Sequence, residues 1–196
     1  MSEFAVYLQL GFDHISDYLN GYDHILFVCA LGCGYSFAER KKLLLLTAAF
    51  TVGHSFTLAL ATRHVVNLPI QLIEFLIPMS ILVACLINLK NSNKSTTKNH
   101  QTNTNYLLAA CFGLVHGLGF SNYLKELLGK QQSILKPLLA FNIGLEIGQL
   151  TILVIFLTLQ TLLINWFRLS KRDFNLIFSS TIAGIALVMI KDRWYF

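Results

Sequence analysis

The sequence predicts an all-α membrane protein of about six transmembrane helices, preceded by an interfacial or re-entrant helix at the N-terminus. Of the 196 residues 55% are apolar and only 13% are charged, which is roughly half the charged fraction of a soluble domain. The mean hydropathy is +0.59. The apolar residues also fall in blocks of about 17–25, the length that crosses about 30 Å of hydrocarbon. These observations predict one polytopic membrane domain, residues 1–196, in a lipid bilayer.

The elements follow from the pattern along the chain. Residues 1–20 mix Asp13, His14 and Asp17 with apolar side chains, which favours an interfacial or re-entrant helix over a span. Six apolar blocks then predict spans at 22–38, 43–62, 69–89, 106–121, 137–165 and 174–190. Residues 91–105 contain no apolar side chain, so they predict a flexible loop.

Basic residues indicate the orientation. Counted on alternate sides of the predicted spans, nine Lys and Arg fall on the side of Arg40 and Lys171 and six fall on the side of Arg63 and Arg193. The side with nine is predicted to be cytoplasmic, which places both termini outside. The net charge of +5 is scattered among these short segments rather than gathered on one face, so nucleic acid is not an expected partner.

Five ionisable side chains are predicted to lie within the membrane. At about 1.5 Å per helical residue, His24 falls about 3 Å and Glu74 about 8 Å below the outer surface, and His54, His116 and Glu146 fall near the midplane. A charge at the bilayer centre costs at least about 2.5–3.5 kcal/mol, so five unpaired groups on five helices are unfavourable. We therefore expect them to face inward and to share a ligand.

Imidazole and carboxylate groups together fit two kinds of ligand. They suit a divalent transition metal such as Zn, Ni or Co, and they also suit a proton relay. For any single histidine the alternative is a hydrogen bond to a neighbouring carbonyl. A buried carboxylate such as Glu74 or Glu146 needs a cation, a proton or several donors.

Local motifs add detail at the first and second spans. Asp23 and His24 occupy the predicted first turn of the first span, where Asp23 either complements the helix dipole or orients a histidine. In FTVGHSFTLAL, Thr51, His54 and Ser55 form a polar group within an apolar span, and Gly53 allows another helix to approach closely.

The later spans carry two further motifs. In FGLVHGLGF, Gly117 and Gly119 follow His116 and predict a break in the helix at membrane depth, a feature of transporters. In FNIGLEIGQL, the spacings of four and three place Asn142, Glu146 and Gln149 on one helix face. Ser55, Asn142 and Gln149 are expected to support the ligands by hydrogen bonds. The glycines of the second motif, at positions 144 and 148, are expected to pack helices.

The motifs together resemble the HupE/UreJ family of bacterial membrane proteins, which are regarded as nickel or cobalt permeases. The resemblance rests on GFDHISDYLNGYDHILF, FTVGHSFTLAL, IEFLIP, FGLVHGLGF and FNIGLEIGQL, between residues 11 and 150. It implies a multi-pass protein of the bacterial cytoplasmic membrane. The metal-handling residues that it implies are His14, Asp23, His24, His54, Glu74, His116 and Glu146. One departure is Tyr18, which stands where nickel–cobalt transporters place a histidine five residues before the Asp-His pair.

Three functional readings remain open at this stage. The first is a secondary permease for a divalent transition metal. The second is an intramembrane zinc hydrolase, in which Glu74 or Glu146 acts as general base. The third is a metal-binding accessory subunit. Each of the three is compatible with a homo-oligomer.

Overall fold

The computed structural model describes residues 2–18, 21–63, 66, 68–92, 100–120, 124 and 134–194. Within these ranges the chain is helical and contains no strand. A short 3-10 turn, Phe37–Glu39, leads into the third helix. The helices are α1 (Glu3–Ser16), α2 (Tyr22–Cys33), α3 (Arg40–Thr62), α4 (Ile70–Asn91), α5 (His100–Gly119), α6 (Leu135–Phe167) and α7 (Lys171–Asp192).

Every predicted span is occupied by a helix, but the helices are not equally long. Four helical segments are long and apolar enough to cross a membrane, namely Phe37–Thr62, Ile70–Asn91, Leu135–Phe167 and Lys171–Asp192. The apolar helices Tyr22–Cys33 and Asn105–Gly119 are shorter. The fold is therefore that of an all-helical integral membrane protein, and the number of six complete spans stays a prediction.

The N-terminal segment forms an amphipathic helix, as its composition predicts. Ser2 begins α1 as the N-cap residue, since its hydroxyl accepts a hydrogen bond of 3.3 Å from the backbone N–H of Ala5. Tyr7, Gly11 and Ile15 are the buried residues of α1, and their spacing of four places them on one face. That face packs against the N-terminal half of α6.

The segment between α4 and α5 is shorter in the structure than the loop predicted for residues 91–105. Helix α4 continues to Asn91, and α5 already begins at His100, so both ends of the expected loop are helical. Residues 93–99 lie outside the described residues.

Helices α3 and α5 run in parallel and are in direct backbone contact. A Cβ atom on Gly53 would collide with the carbonyl of Ala110, and a Cβ atom on Gly113 would collide with the carbonyl of Phe50. The close approach predicted for Gly53 is confirmed. The predicted helix break after His116 is wrong, because α5 stays helical through Gly117 to Gly119.

Helices α4 and α7 pack in antiparallel orientation, which defines two ends of the bundle. At one end the side chain of Asn175 donates hydrogen bonds to the carbonyl of Asn88 and to the hydroxyl of Ser92. The side chain of Glu39 lies at this basic end, 3.0 Å from the ammonium group of Lys171. At the other end the ring of Phe75, near the start of α4, meets Trp194, which follows α7.

Candidate metal centre

Four histidines from four helices meet between the helices. His14 lies on α1, His24 on α2, His54 on α3 and His116 on α5. The ring centroids are 4.5 Å apart for His14 and His24, 5.2 Å apart for His24 and His116, and 6.0 Å apart for His14 and His54. The structure thus brings together four of the seven residues implied by the family resemblance, and we call them the histidine cluster.

Two glycine-mediated helix crossings place these histidines. Gly117 directly follows His116, and a Cβ atom there would collide with the carbonyl of His54 and the hydroxyl of Thr57. Because no side chain separates α3 from α5 at this point, His54 and His116 lie in the same layer. Thr57 in turn donates to the carbonyls of Gly53 and His54 at 3.2 Å, so its hydroxyl is held inside the crossing.

The second crossing brings α1 to the cluster. A Cβ atom on Gly11 would collide with the carbonyl of Phe141, and a Cβ atom on Gly144 would collide with the carbonyl of Leu8. A Cβ atom on Gly148 would likewise collide with the side chain of Ile15. The packing role predicted for the two α6 glycines is confirmed, and it holds His14, in the last turn of α1, beside the other imidazoles.

The buried ring nitrogens of the cluster lack partners. The side chain of His116 has its Nδ1 atom 2.8 Å from the carbonyl of Phe112. A carbonyl only accepts, so Nδ1 carries the proton and the lone pair of Nε2 is free in the neutral imidazole. That Nε2 atom, Nε2 of His14 and both ring nitrogens of His54 are buried without a hydrogen-bond partner. Neutral imidazole nitrogens of this kind are ligands for divalent transition metals.

Asp23 connects the cluster to the far end of the chain. Its carboxylate accepts a hydrogen bond of 2.9 Å from the backbone N–H of His24, in the first turn of α2. The same carboxylate lies 3.0 Å from Nδ1 of His24, although the direction is not that of a hydrogen bond, and 3.4 Å from the guanidinium of Arg193. Asp23 thus lies both at a helix start and beside a histidine, and its predicted role in orienting that histidine stays a prediction.

A cavity of about 730 Å³ leads to the cluster. It lies at the end of the bundle where α4 begins and where α5 and α7 end, opposite the basic end that contains Lys171. The ionisable side chains in its wall are Asp13, His14, Asp17, Asp23, His24, Glu74, His116 and Arg193. Among the described residues of the wall, four carboxylates stand against one guanidinium, and this acidic lining favours cations. His54 is fully buried and is not part of this wall.

The structure divides the predicted seven-residue site. Glu74 is exposed in the wall of the cavity, as its predicted outer position implies. Glu146 is absent from that wall, and its carboxylate accepts hydrogen bonds from Thr47 and Thr51 of α3. Sequence depth alone suggested one shared site, but helix rotation directs Glu146 to a different group of polar residues.

Of the three residues predicted to support the metal ligands, Gln149 lies with Glu146, and the hydrogen bond of Ser55 stays within its own helix. Ser55 donates a hydrogen bond of 2.6 Å to the carbonyl of Thr51, one turn earlier in α3. The side-chain oxygen of Gln149 lies 3.1 Å from the hydroxyl of Thr51, and the buried side-chain oxygen of Asn142 has no partner. The prediction that Asn142, Glu146 and Gln149 share one helix face is consistent with the common contacts of the last two.

Sequence reasoning did not find the partner of Asp23 or the full cavity wall. Arg193 lies 170 residues from Asp23, and no spacing rule connects them. The positions of Asp13 and Asp17 in the cavity wall could have been predicted, because they are four residues apart and flank His14 on α1.

As the side chains are placed, no group of three His, Cys, Asp or Glu residues among the described residues could hold one metal ion. The rings are close, but their free nitrogens do not converge on a point. Binding of one ion by this cluster therefore requires rotation of the imidazoles. No hydrogen bond holds the ring of His54, whereas the contact of Nδ1 with the carbonyl of Phe112 holds the ring of His116.

The side of the cluster facing the basic end is closed by aromatic rings. Phe27 and Phe50 are fully buried, with ring centroids 5.0 Å apart, and each lies 5.2 Å from the ring of His116. Phe112 packs edge-on against Phe27 at 5.6 Å. Beyond them is a small cavity of about 30 Å³, whose wall includes Asn88 and the same Phe112.

The fold and the site define a class: an integral membrane protein with a buried imidazole cluster at the bottom of an acidic cavity. The chain belongs to the HupE/UreJ family, since the family model described as HupE / UreJ protein matches residues 1–196. No match was found among curated proteins or among solved structures.

Proposed function

We propose that this protein is a secondary permease for a divalent transition metal, Ni²⁺, Co²⁺ or Zn²⁺, in the cytoplasmic membrane of a bacterium. One observation carries the proposal: an acidic cavity of about 730 Å³ ends at imidazoles whose buried ring nitrogens have no partner. The carboxylates attract and concentrate the cation, and the neutral imidazoles replace part of its hydration shell. Family membership supports an association with metal uptake.

The orientation that we propose follows from the positions of the basic residues. Lys42 and Lys171 both lie within ion-pair distance of Glu39, at the end of the bundle opposite the cavity. Under the positive-inside rule this basic end faces the cytoplasm. The cavity then opens to the outside, and both termini lie outside.

Among the residues that the structure describes, a cavity reaches the cluster from one side and aromatic rings close the other. The carboxylate-lined cavity reaches His14, His24 and His116, whereas the rings of Phe27 and Phe50 separate the cluster from the basic end. We therefore interpret the structure as an outward-open state. Transport requires a second state in which these rings move apart and the cavity closes.

The proposal is tested by uptake of radioactive Ni²⁺ into proteoliposomes that contain the purified protein. Wild type is expected to take up the ion, and His54→Ala combined with His116→Ala is expected to abolish uptake. The control is Gly184→Ala on α7, where an added Cβ atom meets nothing within 4 Å. If wild type transports neither Ni²⁺, Co²⁺ nor Zn²⁺ under either direction of proton gradient, yet binds one of them tightly, the permease proposal is wrong.

A second candidate is an intramembrane metallohydrolase, and the size of the cavity favours it. A volume of about 730 Å³ exceeds the needs of a hydrated ion and matches small-molecule pockets, which span about 300–1,000 Å³. In that case Glu74 is the better general base, because it lines the cavity and Glu146 does not. The uptake assay separates the two candidates, because an enzyme needs no path to the cytoplasm.

A further inference from the structure

We propose that Glu146 and Gln149 of α6, together with Thr47 and Thr51 of α3, form a second cation site that binds sodium and is separate from the histidine cluster. All four side chains meet at the interface between these two helices. None of them lines the acidic cavity, so the site is separate from the wall of that cavity.

The oxygens of this site are close together. The hydroxyl of Thr47 lies 2.9 Å from Oε1 of Glu146, and the hydroxyl of Thr51 lies nearer still to Oε2. The Thr51 hydroxyl is also 3.1 Å from Oε1 of Gln149. Thr47 and Gln149 are buried, whereas Thr51 and Glu146 are partly buried. Five side-chain oxygens thus lie in one compact group at membrane depth.

The hydrogen atoms available in this group are too few. Each threonine hydroxyl carries one proton, so Thr47 and Thr51 together supply two. They face three acceptors, the two carboxylate oxygens of Glu146 and the amide oxygen of Gln149, and Thr47 also lies 3.0 Å from the carbonyl of Leu44. With Glu146 ionised and the amide as placed, two protons serve four close oxygen pairs, so at least two of these pairs have no proton of their own.

Exchanging the two ends of the Gln149 amide relieves the shortage of hydrogen atoms but leaves a buried atom of Gln149 without a partner. As placed, its nitrogen is buried without a partner, and the side chain is fully inaccessible. With nitrogen and oxygen exchanged, the nitrogen would donate to Thr51, but the amide oxygen would be left without a partner. The buried side-chain oxygen of Asn142, one turn before Glu146, has no partner either. In both arrangements one buried polar atom of Gln149 stays without a partner, and the two hydroxyls of Thr47 and Thr51 are the only described donors to the carboxylate of Glu146.

A buried carboxylate needs a cation, a proton or several donors, and the chemistry of the oxygens around Glu146 selects the class of cation. Carboxylate, hydroxyl and amide oxygens are hard ligands, unlike the imidazoles of the histidine cluster. Glu146 contributes one negative charge, and no described Lys, Arg or His lies within ion-pair distance of it. A monovalent ion makes the site neutral, whereas a divalent ion would leave a net charge in a low-dielectric region. Oxygen pairs already as close as 2.9 and 3.1 Å fit sodium better than the larger potassium ion.

Sodium at this position would connect α3 and α6, and α3 also carries His54. If the protein is a permease, as proposed above, the natural role of this site is that of the coupling ion. The binding site itself does not depend on that role, so the two proposals can fail separately.

The test measures binding of ²²Na⁺ by the full chain, purified in mild detergent and potassium buffer, with a scintillation proximity assay. We expect saturable binding that unlabelled Na⁺ displaces and K⁺ does not. Glu146→Gln is expected to abolish it, and Thr51→Val to weaken it by about tenfold, as the loss of one charge-assisted ligand implies. The matched control is Thr158→Val on α6, because the Thr158 hydroxyl bonds only to the carbonyl of Val154 within its own helix.

Several outcomes would overturn the proposal. Wild type without saturable ²²Na⁺ binding is one, and binding that persists in Glu146→Gln is another. A third is an infrared band of a protonated carboxylic acid that disappears in Glu146→Gln and does not respond to Na⁺, since the site would then hold only a proton. If Glu146→Gln does not fold, Thr47→Val and Thr51→Val decide the question. Sodium binding without any metal uptake would contradict the permease proposal and leave this site standing.

Discussion

The contact between α3 and α5 can be tested by adding one methyl group at Gly117. The Cβ atom of an alanine there would overlap the carbonyl of His54 and the hydroxyl of Thr57. The carbonyl belongs to the helix backbone and cannot rotate away, so the two helices must separate locally. Because His54 and the neighbouring His116 supply imidazoles to the cluster, the change should affect both stability and metal binding.

The expected magnitude follows from two opposing effects. Forcing an extra methyl group into a packed interface costs about 1–3 kcal/mol. Replacing glycine by alanine inside a helix contributes about 0.5–1 kcal/mol of stabilisation. For Gly117→Ala the two ranges combine to a net loss of about 0–2.5 kcal/mol, and the collision with a backbone carbonyl places it in the upper part of that range. At Gly184 an added Cβ atom meets nothing within 4 Å, so only the stabilising effect applies there.

The measurement is the apparent melting temperature of the two variants and of wild type, in the same detergent and at the same heating rate. We expect the order Gly117→Ala, wild type, Gly184→Ala, from least to most stable. Metal binding by calorimetry should weaken only in Gly117→Ala. If Gly117→Ala melts at or above the temperature of wild type, the helices are not in backbone contact at this point and the described crossing is wrong.

Three further predictions concern other parts of the molecule. Asp23→Asn removes the charge that faces the cluster and Arg193, so metal affinity measured by calorimetry should fall by about 10–100-fold, and an unchanged affinity would contradict the role given to this carboxylate. Phe27→Ala should destabilise the protein by about 3–5 kcal/mol because this ring is fully buried, whereas Phe56→Ala, at a side chain 58% exposed, should melt close to wild type. Ala38→Cys, in a background without the native cysteines, should react with an impermeant maleimide only after permeabilisation, and reaction in intact cells would reverse the proposed topology.

Depth in the membrane was predictable from the sequence, but direction around the helix axis was not. Counting residues from the ends of the spans placed His54 and His116 in one layer, and their backbones do meet. The same counting placed Glu146 near that layer, yet its carboxylate faces Thr47 and Thr51. A position along a helix fixes height at about 1.5 Å per residue, whereas the facing direction depends on how neighbouring helices pack.

Glycine near a polar residue was the most ambiguous signal. At Gly117 the sequence indicated a broken helix, because glycine is a weak helix former. The structure keeps the helix and uses the missing side chain for contact with α3 instead. Nothing local distinguishes these two uses, since the deciding atom is a carbonyl more than 60 residues earlier in the chain, at His54. The pairing of Asp23 with Arg193 could not be predicted from the sequence for the same reason.

The docking of α1 against α6 has a consequence for biosynthesis. Gly11 meets Phe141, so α1 has to wait for a partner made about 130 residues later in the chain. At about 5–20 residues per second, that delay is about 7–26 s. During this interval His14 has no fixed place, and the nascent chain holds at most an incomplete cluster. The imidazole cluster is therefore completed only after α6 has been made and α1 has docked against it.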